Sequence, residues 1–361
     1  MENNEILFNE KQYAIPSSQK NEILLDLLYD LTLYHSIRCI PYNNILKTIY
    51  KGFQNKPQNL KDLPYIPVSL FKEFDLKSIP ENAVLKTLTS SGTTSQQVSK
   101  IAIDKETSMI QTKALSSIVT SFIGPKRLPM IIIDTDATSQ YKTGMNARGA
   151  GLVGLSNFGR NHFYALDSDM NLNIDGLMSF IEKYSSEPVL IFGFTFMVWQ
   201  NFYQQLVKNN IKISIPYGIL IHSGGWKKLT ELSVSNEDFK SALENQCGIR
   251  KVHNFYGMVE QVGSVYMECE NGFFHSPNYS DIIIRNYRDW SVLPTGAEGL
   301  IQTLSVLPKS YPGHSILTED LGVVYGIDDC KCGRKGTYFK VSGRVKKAEL
   351  RGCSDIYASA I

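Results

Sequence analysis

One short run of hydroxyls and glycine holds the densest chemical potential in this 361-residue chain. In VLKTLTSSGTTSQQVSKIAID, Ser90, Ser91, Gly92, Thr93 and Thr94 form a hydroxyl-rich turn between two strand-like runs. Such a turn can aim backbone N–H groups and hydroxyls at phosphate oxygens. The GK[ST] ending of a Walker loop is missing, and a strand rather than a helix follows; taken alone, the run is also an ordinary Ser/Thr-rich hairpin turn. HNFYGMVEQVG adds Tyr256, whose ring can stack on a base, and Glu260, whose carboxylate suits Mg²⁺ beside nucleotide phosphates. A strand end with a solvated glutamate fits those residues equally. Asp320 in HSILTEDLG, read on a loop after a strand, has two oxygens to offer two ribose hydroxyls, or is a simple acidic turn. The glycines of IHSGGW, Gly224 and Gly225, permit close backbone approach to a ligand.

Sulfur supplies the remaining candidates. There are six cysteines and no secretion-type start, since MENNEILFNEKQY is acidic and polar. A disulfide framework is therefore not expected, and the thiols read as buried, metal-bound or reactive. Cys269 and His275 in ECENGFFH, with Cys330 and Cys332 in DDCKCGRKG, offer three sulfurs and one imidazole, the ligands of a closed, structural zinc site. Reduced thiols in a β-hairpin are the alternative. Cys39 reads as core. Cys353 follows Arg351 and Gly352 near the end of the sequence. It is either an incidental cysteine on a frayed end or a mobile nucleophile whose thiolate Arg351 favours.

These residues need a scaffold, and the pattern gives an α/β one. Ile23, Leu24, Leu27, Leu28, Leu31 and Tyr34 recur at helical spacing, so residues 1–60 read as a helical segment. Residues 61–262 read as an α/β core: LPMIIIDTD and EPVLIFGFT are unbroken apolar runs of the kind buried parallel strands show, and FMVWQNFYQQLVKNN reads as an amphipathic helix. Residues 263–343 read as a β-rich subdomain, and 344–361 as a hinge remnant with a cysteine-bearing tail. Phe122, Phe158, Phe192, Phe194, Phe196 and Trp199 either line an apolar pocket or belong to the core. A net charge of +2 provides no field for nucleic acid or a membrane surface, and no apolar run is long enough to span a bilayer. The expected location is cytoplasmic.

The order of the motifs along the chain resembles the adenylate-forming enzymes, which join a carboxylic acid to AMP. A Ser/Thr/Gly loop comes first, then a glycine turn, then YGMVEQ, TED and SGRVKKAELRG. Within that superfamily, IPVSLFKEFDL, ARGAGLVG, IFGFTFMVWQ, HSGGWKK and RGCSD look like the acyl-protein synthetases of the bacterial luminescence fatty-acid reductase (LuxE type), themselves related to phenylacetate-CoA ligases. The resemblance runs from about Leu63 to the end. It implies the large N-terminal domain of the adenylate-forming fold, with mostly parallel sheets flanked by helices, a β-rich subdomain and no C-terminal lid domain.

Carried over residue by residue, the resemblance puts ATP phosphates at Thr89, Ser90, Ser91, Gly92, Thr93 and Thr94 with Lys100. The Gly224–Gly225 turn and Tyr256–Gly257 complete the nucleotide site, Glu260 takes Mg²⁺, Asp320 grips the ribose and Arg344 marks the hinge. Two residues depart from the pattern: Ser95 stands where glycine is usual, and Val259 where a threonine often touches phosphate. The implied reaction activates a carboxylic acid, a long-chain fatty acid by resemblance, as acyl-AMP. The acyl group then passes to Cys353 as a thioester, with Cys353, Glu260 and Lys100 in catalytic roles and an NADPH-dependent acyl reductase as the receiving partner. Other readings are a truncated ligase that acylates coenzyme A or an acyl carrier protein, and a nucleotide-binding protein of weak activity on the same fold.

Overall fold

A computed structural model of the chain describes residues 2–53, 55–90, 98–136, 147–225 and 234–345. The chain divides into two units, Met1–Pro80 with His275–Ile361, and Glu81–Phe274. In the first unit, helices Glu2–Asn9, Ser17–Arg38 and Ile40–Tyr50 follow the expected periodicity. The buried stripe of the second helix is apolar only in its middle, at Ile23, Leu24 and Leu28; Ser17 and Lys20 before it and Thr32 and His35 after it are buried polar residues.

The short strand β1 (Ile66–Pro67) precedes the second unit. There, β2 (Lys86–Thr89) and β3 (Lys100–Ile103) form an antiparallel hairpin. Asp104 then caps the Lys105–Ile123 helix by accepting the Thr107 N–H at 2.8 Å. Five parallel strands follow: β4 (Leu128–Thr135), β5 (Gly159–Leu166), β6 (Val189–Phe194), β7 (Gly218–Ser223) and β8 (Lys251–Tyr256). Their spatial order is β5-β4-β6-β7-β8, with β9 (Tyr266–Glu268) added antiparallel to β8. Parallel neighbours need crossover connections, and helices Ala147–Ser156, Ile174–Lys183 and Asn236–Cys247 lie in three of them. Asn173 and Ser235 cap the latter two. The stretch read as one amphipathic helix carries a wider π-type turn, Val198–Tyr203, between short α-helical pieces. Because the chain leaves β4 to one side and returns to β6 on the other, the C-terminal ends of these strands form the edge where open α/β sheets bind ligands.

Leaving β10 (Phe274–His275), the chain re-enters the first unit. β11 (Ser280–Arg285), β12 (Glu298–Ser305), β13 (Ser315–Ile327) and β14 (Thr337–Arg344) pair antiparallel in order, and β1 joins β13 in parallel.

An ion pair ties the helical segment to this sheet. Lys20 is only 1 % exposed, and its Nζ lies 3.2 Å from Asp281 Oδ2 and 3.2 Å from the Ser280 carbonyl. Removing one partner of a buried pair leaves the other charge uncompensated, which costs about 3–5 kcal/mol. Lys20→Ala should lower unfolding stability by that amount in denaturant titration, and Lys20→Met with Asp281→Leu should recover most of it, because no lone charge remains.

Candidate functional site

In the second unit the candidate residues gather at strand ends. Thr89 and Lys100 face each other across the mouth of the β2–β3 hairpin. Just beyond them Ser90 N–H reaches the Ser99 carbonyl at 3.2 Å, and Ser90 Oγ accepts the Ser99 N–H at 3.0 Å. Hydroxyl-bearing residues therefore close the described ends of the β2–β3 pair at Ser90 and Ser99. Ser91, Gly92, Thr93, Thr94 and Ser95 themselves lie outside the described residues.

At the end of β7, Gly224 adopts a positive φ of +85°, and a Cβ there would meet the Phe194 ring at 3.4 Å. Gly225 has open space around it. The neighbouring strand end is fastened to this turn by Ser223, whose Oγ donates to the Phe255 carbonyl at 2.9 Å. Tyr256 follows, its ring 6.0 Å from Tyr266, and Gly257 comes next. Glu260 sits in the single 3-10 turn Val259–Gln261 and is buried. Gly263 fixes where that turn rests: its φ is +88°, and a Cβ would come within 2.9 Å of the Gln111 backbone on the Lys105–Ile123 helix. Glycine is needed there both for conformation and for contact distance. The glycine turn, Tyr256 and the buried Glu260 carboxylate thus follow two adjacent parallel strands on one edge.

That edge holds two further features. Asp134, fully buried at the end of β4, accepts two hydrogen bonds from Arg148, with Nε to Oδ2 at 2.8 Å. A fork of this kind is rigid and charge-assisted, yet fourteen positions separate the partners and no periodicity reveals it; the only sign is an apolar strand ending in acid. His222 at the end of β7 turns inward, with Nδ1 2.9 Å from Thr195 Oγ1 and its ring 4.7 Å from Phe239. Burial pushes its pKa down to about 3, so it carries no charge at neutral pH.

The first unit holds the other two nucleotide candidates. Asp320 is not on a loop. It lies within the thirteen-residue β13, directly opposite Arg344 of β14, whose Nε donates to Asp320 Oδ1 at 3.0 Å. A register shift at Leu321/Gly322 interrupts the strand's alternation there, which is why TEDLG reads as a turn. Three of the four zinc candidates, His275, Cys330 and Cys332, also belong to this unit, and Cys269 belongs to the second. Cys353 lies outside the described residues. The aromatic candidates divide: Phe192 is core, Trp199 stacks on Tyr203 at 4.4 Å, and Phe122 meets His253 edge-on at 5.0 Å.

Known structures share this architecture. 2-Hydroxyisobutyryl-CoA ligase in its postadenylation state with 2-HIB-AMP superposes with a TM-score of 0.70 at 15% identity, covering 92% of this chain and 69% of that one. Its open conformation with 2-HIB-AMP and CoA gives 0.69 at 16%, covering 91% and 76%. A long-chain-fatty-acid-CoA ligase, FadD1 from Archaeoglobus fulgidus, gives 0.50 at 15%, covering 76% and 55%. No curated protein sequence matches. The fold is that of the adenylate-forming ligases. Across residues 1–361 the sequence matches the family model "Acyl-protein synthetase, LuxE", and the chain belongs to that family of ligases. Among the described residues no helix is long and apolar enough to cross a membrane.

Proposed function

We propose that this protein activates a long-chain fatty acid with ATP and passes the acyl group to its own Cys353 for delivery to an NADPH-dependent acyl reductase. The observation that carries the first half is the arrangement at the ends of β7 and β8, where the Gly224–Gly225 turn and Tyr256 precede a buried Glu260 carboxylate. A substrate carboxylate oxygen attacks the α-phosphorus of ATP, the bond to the β-phosphate breaks, and acyl-AMP and pyrophosphate form. The hydroxyl-rich hairpin with Lys100 stabilises the phosphates, and Asp320 takes the ribose with Arg344 beside it. Glu260 would hold Mg²⁺, which supplies charge neutralisation at the phosphates. In the second half the Cys353 thiolate attacks the acyl carbon, the bond to the AMP oxygen breaks, and AMP leaves with the electron pair. Tethering the thiol replaces a bimolecular encounter with an intramolecular one.

The test is pyrophosphate exchange with acids of increasing chain length, followed by the intact mass of the protein. Exchange with long-chain acids, together with a mass gain that neutral hydroxylamine removes, is the expected result. No exchange with any acid would end the adenylation reading. A second acceptor has an observation in its favour, since 2-hydroxyisobutyryl-CoA ligase is known with both 2-HIB-AMP and CoA bound; free acyl-CoA without acylated protein would select it.

Glu260→Gln keeps the side chain's shape and removes its charge. Loss of one preorganised electrostatic group costs about 10²–10³ in rate. Exchange should therefore fall by at least about 10²-fold while thermal unfolding is little changed, and a variant exchanging at the wild-type rate would remove Glu260 from the site.

A further inference from the structure

We propose that the protein holds a structural zinc ion through His275, Cys330 and Cys332 of the first unit. The ligand atoms of the three residues in the first unit lie within 4.8 Å of one another. Cys332 Sγ is 3.4 Å from His275 Nε2. In a tetrahedral site with the usual Zn–S and Zn–N bond lengths, the edge between a sulfur and an imidazole nitrogen is about 3.6 Å. The pair is therefore already spaced as two ligands of one ion.

The local chain is shaped for this arrangement. Cys330 to Gly333 forms a tight turn, closed by the Gly333 N–H donating to the Cys330 carbonyl at 2.9 Å, with Gly333 at a φ of +82°. That turn brings two thiols separated by one residue to the same imidazole. His275 is fully buried, its ring stacked on Tyr338 at 5.7 Å and met edge-on by Tyr13 at 6.1 Å, so its orientation is set by packing. Neither Cys330 nor Cys332 is disulfide-bonded.

The donor set selects the metal class. Thiolates and imidazole suit zinc, whereas Mg²⁺ and Ca²⁺ take oxygen ligands, and no carboxylate belongs to this set. His275 and Cys330 are buried and none of the three ligands is a nucleotide candidate, so the ion is structural. Its place in the fold gives it a purpose. The Cys330–Gly333 turn lies in the connection between β13 and β14, and the far end of that strand pair carries Asp320 opposite Arg344. An ion gripping the turn pins the register on which that pairing depends.

The experiment needs neither ATP nor acid, so it succeeds or fails independently of the proposed reaction. The full-length protein is produced with zinc in the medium, desalted and analysed for metal; about one zinc per chain is expected. Cobalt exchanged into the site should show thiolate-to-metal charge transfer and the intense visible bands of tetrahedral coordination. Cys330→Ser with Cys332→Ser should lose at least about nine-tenths of the metal, since the loss of two first-coordination ligands exceeds the 10–100-fold weakening caused by outer-shell changes. Lys331→Ala should keep the metal. Wild-type protein without zinc after supplementation, or cobalt protein lacking tetrahedral bands, overturns the proposal even if the double variant fails to fold.

Discussion

Replacing Cys353 by serine should abolish thioester formation and leave adenylation intact. Of the two nucleophiles a thiol ionises far more readily than a hydroxyl at neutral pH, and thiolate sulfur is intrinsically very nucleophilic. A serine hydroxyl is essentially un-ionised under the same conditions and has no neighbouring base assigned to it. Protein, ATP and labelled fatty acid should therefore give a hydroxylamine-sensitive label on the wild type and none on Cys353→Ser or Cys353→Ala. Pyrophosphate exchange should remain within about twofold, because the cysteine takes no part in the first transition state. Two patterns are informative. Equal labelling of all three proteins would eliminate the carrier role. Loss of both labelling and exchange would mean that Cys353 acts before the adenylate forms.

How much of this was readable from residues alone depends on the range of the interaction. LPMIIIDTD and EPVLIFGFT were legible as buried strands because parallel strands covered on both faces are apolar at every position, and β4 and β6 occupy those runs. The strand-like runs on either side of the Ser/Thr stretch were legible too, and β2 and β3 occupy them. Asp320 was misplaced onto a loop because register shifts at Leu321/Gly322 and Val324/Gly326 break the alternation of a long strand. Lys20 and Ser280 touch across 260 positions, and Asp134 and Arg148 across fourteen. No local pattern encodes such pairs, so neither ion pair could be seen. A unit assembled from both ends of the chain escapes a local reading on the same grounds.

The nucleotide candidates illustrate a further limit. Tyr256, Glu260 and Asp320 each had an ordinary structural explanation in the sequence, and only their order along the chain suggested more. Geometry sharpens this for the second unit. The Gly224 turn and Glu260 follow adjacent parallel strands, and Gly263 cannot be exchanged without displacing the turn that bears Glu260. Sequence order reports a family. Strand ends and close contacts indicate which atoms the family's chemistry can use.

Acidification from pH 8 to pH 5 should destabilise the fold through its histidines, before the carboxylates titrate. In the first unit, His35 and His314 are buried and stacked at 5.1 Å. His35 Nε2–H points to the Pro308 carbonyl at 3.2 Å, leaving Nδ1 to accept from Ser78 Oγ at 2.7 Å. Thr32 donates its hydroxyl hydrogen to the Leu28 carbonyl at 2.8 Å, so His314 Nε2 must donate to Thr32 Oγ1 at 2.9 Å. Burial, with Arg38 in the same direction, lowers His35 to about 3 despite the raising effect of its carbonyl partner, and burial beside His35 holds His314 well below its ordinary value. In the second unit burial lowers His222 to about 3, helped by Lys240 and His253. Burial also lowers His253, against the pull of the Glu268 carbonyl and the carboxylates of Glu270 and Glu268. All four are released to about 6.5 on unfolding. The unfolded chain therefore binds more protons between 6.5 and the depressed folded values; stability is full above that window and falls as the pH drops through it. For His35 and His222 the loss by pH 5 is on the order of 2 kcal/mol each, and His314 adds to it in the same direction. Urea midpoints measured at pH 8, 6 and 5 should fall steadily, and a midpoint that held level from pH 7 to 5.5 would mean that these imidazoles are not buried in neutral form.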